Sequence, residues 1–376
     1  MQTANNQPGK SRLDIRFPFF IKAPMVLLGL YLLFYILVLL QDIFVPICFA
    51  LLLAILLNPL VNTFNKFRMP RVLSIGLAIL LAILAFGGLI TFLSVQFASF
   101  SDLAPQLSKR STEIFAELQS WAQNTFGLSL KKQSTMISEL FEKSKEYIGS
   151  SLSTLASVLS TFILLPIYVF LILYYKPMFI NFFYEVFDYV HGEQVSEVLT
   201  ETKSAIQSYI LGLLIEMLIV AALNATALLI IGVKYAILLG VVGAILNVIP
   251  YVGGLIAIAL PVLISMVTKD PLNYTTPLVI IAAYIVIQFI DNNIIVPRVV
   301  SSKVEVNAFV SIVIVLLGGA LWGISGMFLS IPFVAILKII FDRVNELKPW
   351  GMLLGTKMNP DFSAKKSIDL DDIKEE

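Results

Sequence analysis

The chain predicts an all-α integral membrane protein. Three observations carry that prediction. Hydrophobic residues make up 58% of the 376-residue sequence and charged residues only 14%, against about 25% charge in a typical soluble domain. Mean hydropathy is +0.89. The apolar residues fall in long uncharged runs, about eight hydrophobic segments, each too long for a barrel strand and near the ~20 residues that span a bilayer as a helix.

The N-terminal arm, residues 1–23, holds Lys10, Arg12, Arg16 and Lys22 with one acid, Asp14. The basic arm and the run Ala23–Leu40 resemble a signal peptide. No small-residue cleavage site follows, and Gln41-Asp42 leads directly into more apolar sequence, so the run reads as a retained first span. Residues 24–96 hold three spans: Pro24–Leu40, Ile43–Leu60 and Val72–Gln96. The turn between the first two carries no basic residue, whereas the next carries Lys66, Arg68 and Arg71. By the positive-inside rule the N-terminus lies in the cytoplasm.

Residues 97–151 leave the membrane on the outer side, with six basic and six acidic residues. Leu107, Ile114, Leu118 and Trp121 recur at helical spacing there, as do Met136, Leu140 and Tyr147, which predicts extramembrane amphipathic helices. Residues 152–175 form a span entered through Ser153, Ser157 and Ser160, small residues that suit close helix packing. Residues 176–205 are acidic and cytoplasmic. Glu185, Asp188, Glu193, Glu197 and Glu201 read as a solvated helix face, and His191 beside Gly192 as a loop residue.

Residues 206–345 are the C-terminal bundle: Ile206–Gly232, Ala236–Thr268, Pro277–Val296 and Val306–Ile340. Two of these are broken at their middles. Ala236–Thr268 is interrupted at Asn247 through Gly254, around Pro250, Gly253 and Gly254. The last is interrupted at Gly318, Gly319, Gly323 and Gly326, around Trp322. Freed backbone groups survive at membrane depth only where protein or a wet cavity satisfies them, so a pair of interrupted spans points to a transport pathway. Each can cross the membrane or re-enter as a hairpin; hairpins place Arg298 and Lys303 inside, as the positive-inside rule prefers. Both versions return the C-terminus to the cytoplasm. Residues 346–376 form a polar tail.

Two carboxylates sit inside spans, where they are costly and rare. Glu216 lies near the middle of the fifth span. Asp291 lies in Gln288-Phe289-Ile290-Asp291-Asn292-Asn293, and Gln288, Asp291 and Asn292 fall at i, i+3 and i+4 on one helix face. Either carboxylate can carry a proton or bind a monovalent cation; the competing reading is a structural hydrogen bond or ion pair, for Asp291 with Arg298 or with a neighbouring helix. Asn247 and Asn307 carry amides that can satisfy freed backbone or touch a polar solute. Gly319 and Gly323 have small-xxx-small spacing. Asn224-Ala225-Thr226 matches a glycosylation pattern inside an apolar span, where no glycan fits.

Other classes are disfavoured. Net charge is +1, which suggests no nucleic-acid partner. The single cysteine, Cys48, reads as a packing residue. One histidine and no Cys/His cluster predict no metal centre, and no cofactor is expected. No Gly-rich phosphate loop and no nucleophile–base constellation appear, so no enzyme is predicted.

The C-terminal half resembles the autoinducer-2 exporter family of membrane transporters. The resemblance rests on Gln207-Ser208-Tyr209-Ile210, Gly232-Val233-Lys234-Tyr235-Ala236, Asn247 through Gly253, Asp291-Asn292-Asn293 with Pro297, and Gly318 through Met327 with Pro332. It implies a bacterial inner-membrane permease, a homo-oligomer, acting on a small polar solute such as autoinducer-2 or on sodium, lithium and protons as an antiporter. The sequence departs from the family at Val306-Asn307-Ala308, where many relatives carry a His-Pro-like pair. A membrane scaffold working through its extramembrane helices is a third reading.

Overall fold

The computed structural model describes residues 18–101, 120, 123–125, 163–187, 192–250, 253–268, 275–300 and 306–356. Most of the outer amphipathic segment, His191, Tyr251, Val252, residues 301–305 and the tail beyond residue 356 lie outside the described residues. The chain divides into two compact units, Met1–Phe44 and Val45–Glu376. The first unit contains α1 (Phe19–Leu39), an apolar helix with Pro24 in its second turn and Tyr31 stacked on Tyr35 one turn on, ring centroids 6.3 Å apart.

The second unit is helical throughout its described residues. It holds most of α2 (Gln41–Lys66), then α3 (Arg71–Ser101), α4 (Ile163–Val186), α5 (Gly192–Ile231), α6 (Ala236–Asn247), α7 (Gly253–Thr268), α8 (Thr275–Ile290), α9 (Ala308–Arg343) and α10 (Lys348–Leu354). Apolar side chains cover much of the outside: Leu73, Leu84, Leu218, Leu278, Phe289 and Leu316 are all exposed. A surface of that kind is stable only in lipid, so the chain is an all-α integral membrane protein. Among the described residues, α2, α3, α4, α5, α8 with its extension, and α9 are long and apolar enough to cross a bilayer; the apolar parts of α1, α6 and α7 are shorter.

One core joins α2, α3 and α4 through Ala50, Ala54, Ile75, Ala78, Val169 and Leu173. The alanines let the helix backbones approach, which is how helices associate where lipid removes the hydrophobic drive. A second core joins α2, α5 and α9 through Leu52, Ile206, Tyr209, Ile210 and Leu329. A third joins the end of α5 to α6, α7 and α8 through Leu228, Leu239, Ala257, Ile280 and Tyr284.

The helix α5 is one 40-residue rod, about 60 Å long, twice the hydrocarbon thickness. Part of the acidic segment therefore continues the fifth span as helix. Glu197 and Glu201 pair with Arg343 at the end of α9, the Glu197 bond at 2.7 Å.

Both interrupted stretches are helical hairpins. In the first, α6 and α7 run antiparallel: a side chain added at Gly253 would collide with the Leu246 carbonyl, and one at Gly243 would touch Ala257. Their 12 and 16 residues make arms of about 18 and 24 Å, short of the ~30 Å core. In the second, α9 breaks at Trp322 (φ −135°, ψ 22°) and Gly323 (φ +60°, ψ −140°). The arms, 308–321 and 324–343, fold back on each other. Gly318 packs on the Gly326 carbonyl and Gly326 on the Gly318 carbonyl, contacts that leave no room for a Cβ. The packing pair is thus Gly318/Gly326 across the hairpin. Gly323 is the turn itself, so the spacing with Gly319 on one helix face does not exist; a positive φ at Gly323 takes it off the helix.

Asn307 ties down the foot of this hairpin. Its Oδ1 caps α9 by accepting from the Val310 N–H at 2.9 Å, and its Nδ2 donates to the Leu353 carbonyl at 2.7 Å. The amide satisfies freed backbone, as its position predicts, and the start of the nominal tail is the ordered helix α10.

Candidate functional site: a buried polar cavity beside the first hairpin

Beyond Ile290 the eighth helix widens. Asp291–Ile295 is a π-turn, in which the Val296 N–H donates five residues back to the Asp291 carbonyl. Pro297 supplies the cause: it has no N–H to give the Asn293 carbonyl, and its ring crowds that turn. Asn293 Nδ2 bends back to the Phe289 carbonyl at 2.8 Å, satisfying a group at the α-to-π junction. Such turns are rare and frequent at functional sites.

The π-turn holds Asp291 inward, only 2% exposed. Its Oδ2 accepts from Asn247 Nδ2 at 2.9 Å. Asn247 is the last residue of α6, where the hairpin break frees it from the helix face. Asp291 is therefore partnered by Asn247, not by Arg298, and its Oδ1 is buried with no partner. Asn224 of α5 and Tyr284 of α8 close the same space, with Asn224 Oδ1 and the Tyr284 hydroxyl also buried and unpartnered. Together with Val220, Gly243, Ala257, Ile287 and Gln288 they enclose a cavity of about 10 Å³, the room of roughly one water molecule.

Unsatisfied buried polar atoms cost about 1–3 kcal/mol each, so three around one cavity favour a water or another polar group that bonds to them there. Three oxygens, one of them a carboxylate's, suit a hydroxylated solute, a water or a hard cation. Among the described residues, no cluster of His, Cys, Asp and Glu could hold a metal ion.

The other candidates spread outward from this point. Gln288 lines the cavity, and its Nε2 lies 3.4 Å from Asn292 Oδ1. Asn292 and Asn293 are exposed; Asn292 keeps the i, i+4 contact with Gln288 that their spacing predicts but does not line the cavity. Pro250 sits in the hairpin bend and Gly253 starts α7. A Cβ on Gly254 would lie 3.2 Å from Gln288 Oε1, so glycine lets α7 pass close to α8. Glu216 is 8% exposed on α5 and interacts electrostatically with Asp291, without lining the cavity. Gly318, Gly319, Gly323 and Gly326 belong to the second hairpin and contribute nothing to the cavity wall.

The sequence reading missed Asn224 and Tyr284. Signals for both exist. Glu216, Val220, Asn224 and Leu228 repeat every four residues and are all buried, so Asn224 extends the face that Glu216 opens. Tyr284, Gln288 and Asp291 share a face by the same rule.

Residues 25–346 match the family model described as AI-2E family transporter. The chain is 26% identical to YueF of Bacillus subtilis (strain 168) over 327 residues, 82% of this chain and 86% of that one. It is 25% identical over 311 residues, covering 80% of this chain and 86% of the relative, to the AI-2 transport protein TqsA of Escherichia coli (strain K12). YrrI of Bacillus subtilis (strain 168) is similar at the same identity and coverage, 25%, 80% and 86%.

Proposed function

The chain belongs to the AI-2E transporter family, a multi-pass membrane transport protein, and from that premise we propose that it carries a small polar solute through the cavity at Asn224, Asn247, Tyr284, Gln288 and Asp291. The carrying observation is the set of three unpartnered buried oxygens placed where two helix irregularities meet, the end of α6 and the π-turn of α8. A hydroxylated solute is recognised there by hydrogen bonds. Broken helices allow one part of the bundle to shift against another, the motion alternating access needs. In this reading Pro250, Gly253 and Gly254 form the inner gate, and the Gly318–Gly326 hairpin a second moving element. Autoinducer-2 is the first solute to test, since one relative at 25% identity is an AI-2 transport protein.

The topology proposed with it has both termini in the cytoplasm of a bacterial inner membrane, both hairpins re-entrant, and several copies assembled in the bilayer. The short arms support re-entry, since neither α6 nor the first arm of α9 reaches across the hydrocarbon.

A second reading is favoured by the same oxygens. With Glu216 and Asp291 in one neighbourhood and, among the described residues, no Lys or Arg paired to either, the site also suits exchange of sodium or lithium for protons. Proteoliposome flux separates the two. The purified protein is tested with a panel of polar solutes, autoinducer-2 included, under imposed sodium, lithium and pH gradients. Solute flux that survives Glu216→Gln and falls in Asn224→Leu supports the solute carrier. Cation-driven proton flux that collapses in Asp291→Asn supports the antiporter. Wild-type flux of neither kind overturns both.

A further inference from the structure

A second, larger cavity lies far from the polar one. Thr202, in its wall, precedes Asn224 by about 33 Å along α5. It opens between the second halves of α2 and α4, the first half of α5 and the end of α9, and its volume is about 740 Å³, within the range of small-molecule sites. Leu51, Ile55, Phe179, Phe183, Leu199 and Ile340 give it apolar walls.

Its polar lining includes three cationic side chains, Lys176, Lys203 and Arg343, beside Asn58, Gln194, Thr202, Asn345 and Glu346. Lys176 Nζ donates to Asn58 Oδ1 at 2.9 Å. Lysine has no acceptor, so the amide oxygen must face it and Asn58 Nδ2 is turned the other way. That Nδ2 is buried with no partner in a residue only 5% exposed. Thr202 Oγ1 is likewise buried and unpartnered. Lys203 stands near enough to Lys176 for the two ammonium groups to repel, with Arg71 adding to the field. Among the described residues, no carboxylate forms an ion pair with Lys176 or Lys203. Glu197 and Glu201 are engaged by Arg343, and Glu346 is the one acid among the described residues of the lining.

Two ammonium groups without an ion-pair partner among the described residues, beside a large apolar hollow, describe the two ends of an anionic amphiphile. We propose that this cavity binds an anionic phospholipid from the surrounding bilayer, its phosphate at Lys176 and Lys203 and an acyl chain along Phe179, Phe183 and Leu199. Basic pockets between membrane helices hold anionic head groups in this way. The inference stands independently of what the protein transports. On the topology proposed above the pocket faces the cytoplasmic leaflet, whose anionic lipids are its nearest supply.

The test uses the full-length protein, delipidated in mild detergent and offered phosphatidylglycerol, phosphatidylcholine or palmitate, with bound lipid counted by native mass spectrometry and thermal midpoint read in parallel. Phosphatidylglycerol is expected to stay bound and raise the midpoint, phosphatidylcholine to do neither. Lys176→Gln with Lys203→Gln should weaken phosphatidylglycerol binding by roughly tenfold or more. Val198→Trp should reduce it with no change of charge, by filling the hollow. Lys203 is exposed, so Lys203→Gln alone keeps the test open if the double variant misfolds; it should weaken binding in the same direction. Lys234→Gln, outside the pocket, controls for net charge and should bind as the wild type does. Equal binding of the two phospholipids, undiminished preference in Lys203→Gln, or retention of palmitate with no preference among phospholipids would each overturn the proposal.

Discussion

Ser330 Oγ donates to the Ile314 carbonyl at 2.9 Å across a separation of 16 residues. In an unbroken helix those residues would stand about 24 Å apart. The bond fixes the last apolar stretch as two antiparallel arms, and the same hydroxyl also reaches the Gly326 carbonyl at 2.6 Å. One serine thus supports backbone on both sides of the bend.

Spin labels at Val313 and Phe333, both partly exposed, test that geometry. In a Cys48→Ser background they should show strong dipolar broadening. A straight rod would hold them about 30 Å apart and give none.

Gly323 and Gly253 should fail differently when replaced by alanine. Nothing lies within 4 Å of a Cβ on Gly323, so its cost is the left-handed backbone alone, on the order of 1–3 kcal/mol. At Gly253 the Leu246 carbonyl blocks the Cβ, and α6 must shift. Both variants should lower the thermal midpoint in detergent, but only Gly253→Ala should change the protease-cleavage pattern around residues 246–254. Gly87→Ala, mid-helix with open space around it, should be neutral or slightly stabilising.

The Asn247–Asp291 bond predicts a non-additive pair. Asn247→Leu leaves a buried carboxylate with neither oxygen partnered, a loss of about 1–3 kcal/mol or more. Asn247→Leu with Asp291→Leu removes both polar groups and should recover part of that stability while abolishing transport. Thermal unfolding and flux measured on the same preparations check this; equal stability of the single and double variants would refute it.

Arg343 should matter little to stability. Its side chain is 36% exposed and those of its partners Glu197 and Glu201 49% and 45%, so solvent screens the pairs and their net worth is about 0–1 kcal/mol. Arg343→Ala should leave the thermal midpoint within a few degrees of the wild type, with the difference vanishing in high salt.

Asn307→Ala should cost about 1 kcal/mol through the lost cap. Hydrogen exchange should quicken in α10 as well as at the start of α9, since the side chain bonds both.

The helical membrane class, the two breaks and the inward Asp291 were legible in the sequence, because uncharged length, Gly/Pro clusters and a lone carboxylate each have one dominant physical reading. The partner of Asp291 was not. Local spacing offers Arg298 and leaves a neighbouring helix unspecified, whereas the donor is Asn247 Nδ2, 44 residues away, and its approach depends on a hairpin whose closure no local pattern encodes. Asn224 was visible as a letter but hidden by its context: a polar residue in an apolar span is informative only once Glu216, two turns earlier, is placed on the same buried stripe.

The grip of Asn307 on Leu353, Leu354 and Gly355 sets a limit for anyone shortening the gene. A stop codon placed after Thr356 spares every acceptor of that asparagine, and an affinity tag appended there leaves the anchor whole. Cutting at Met352 or earlier removes all three carbonyls at once, and the last hairpin would then be expressed without its footing.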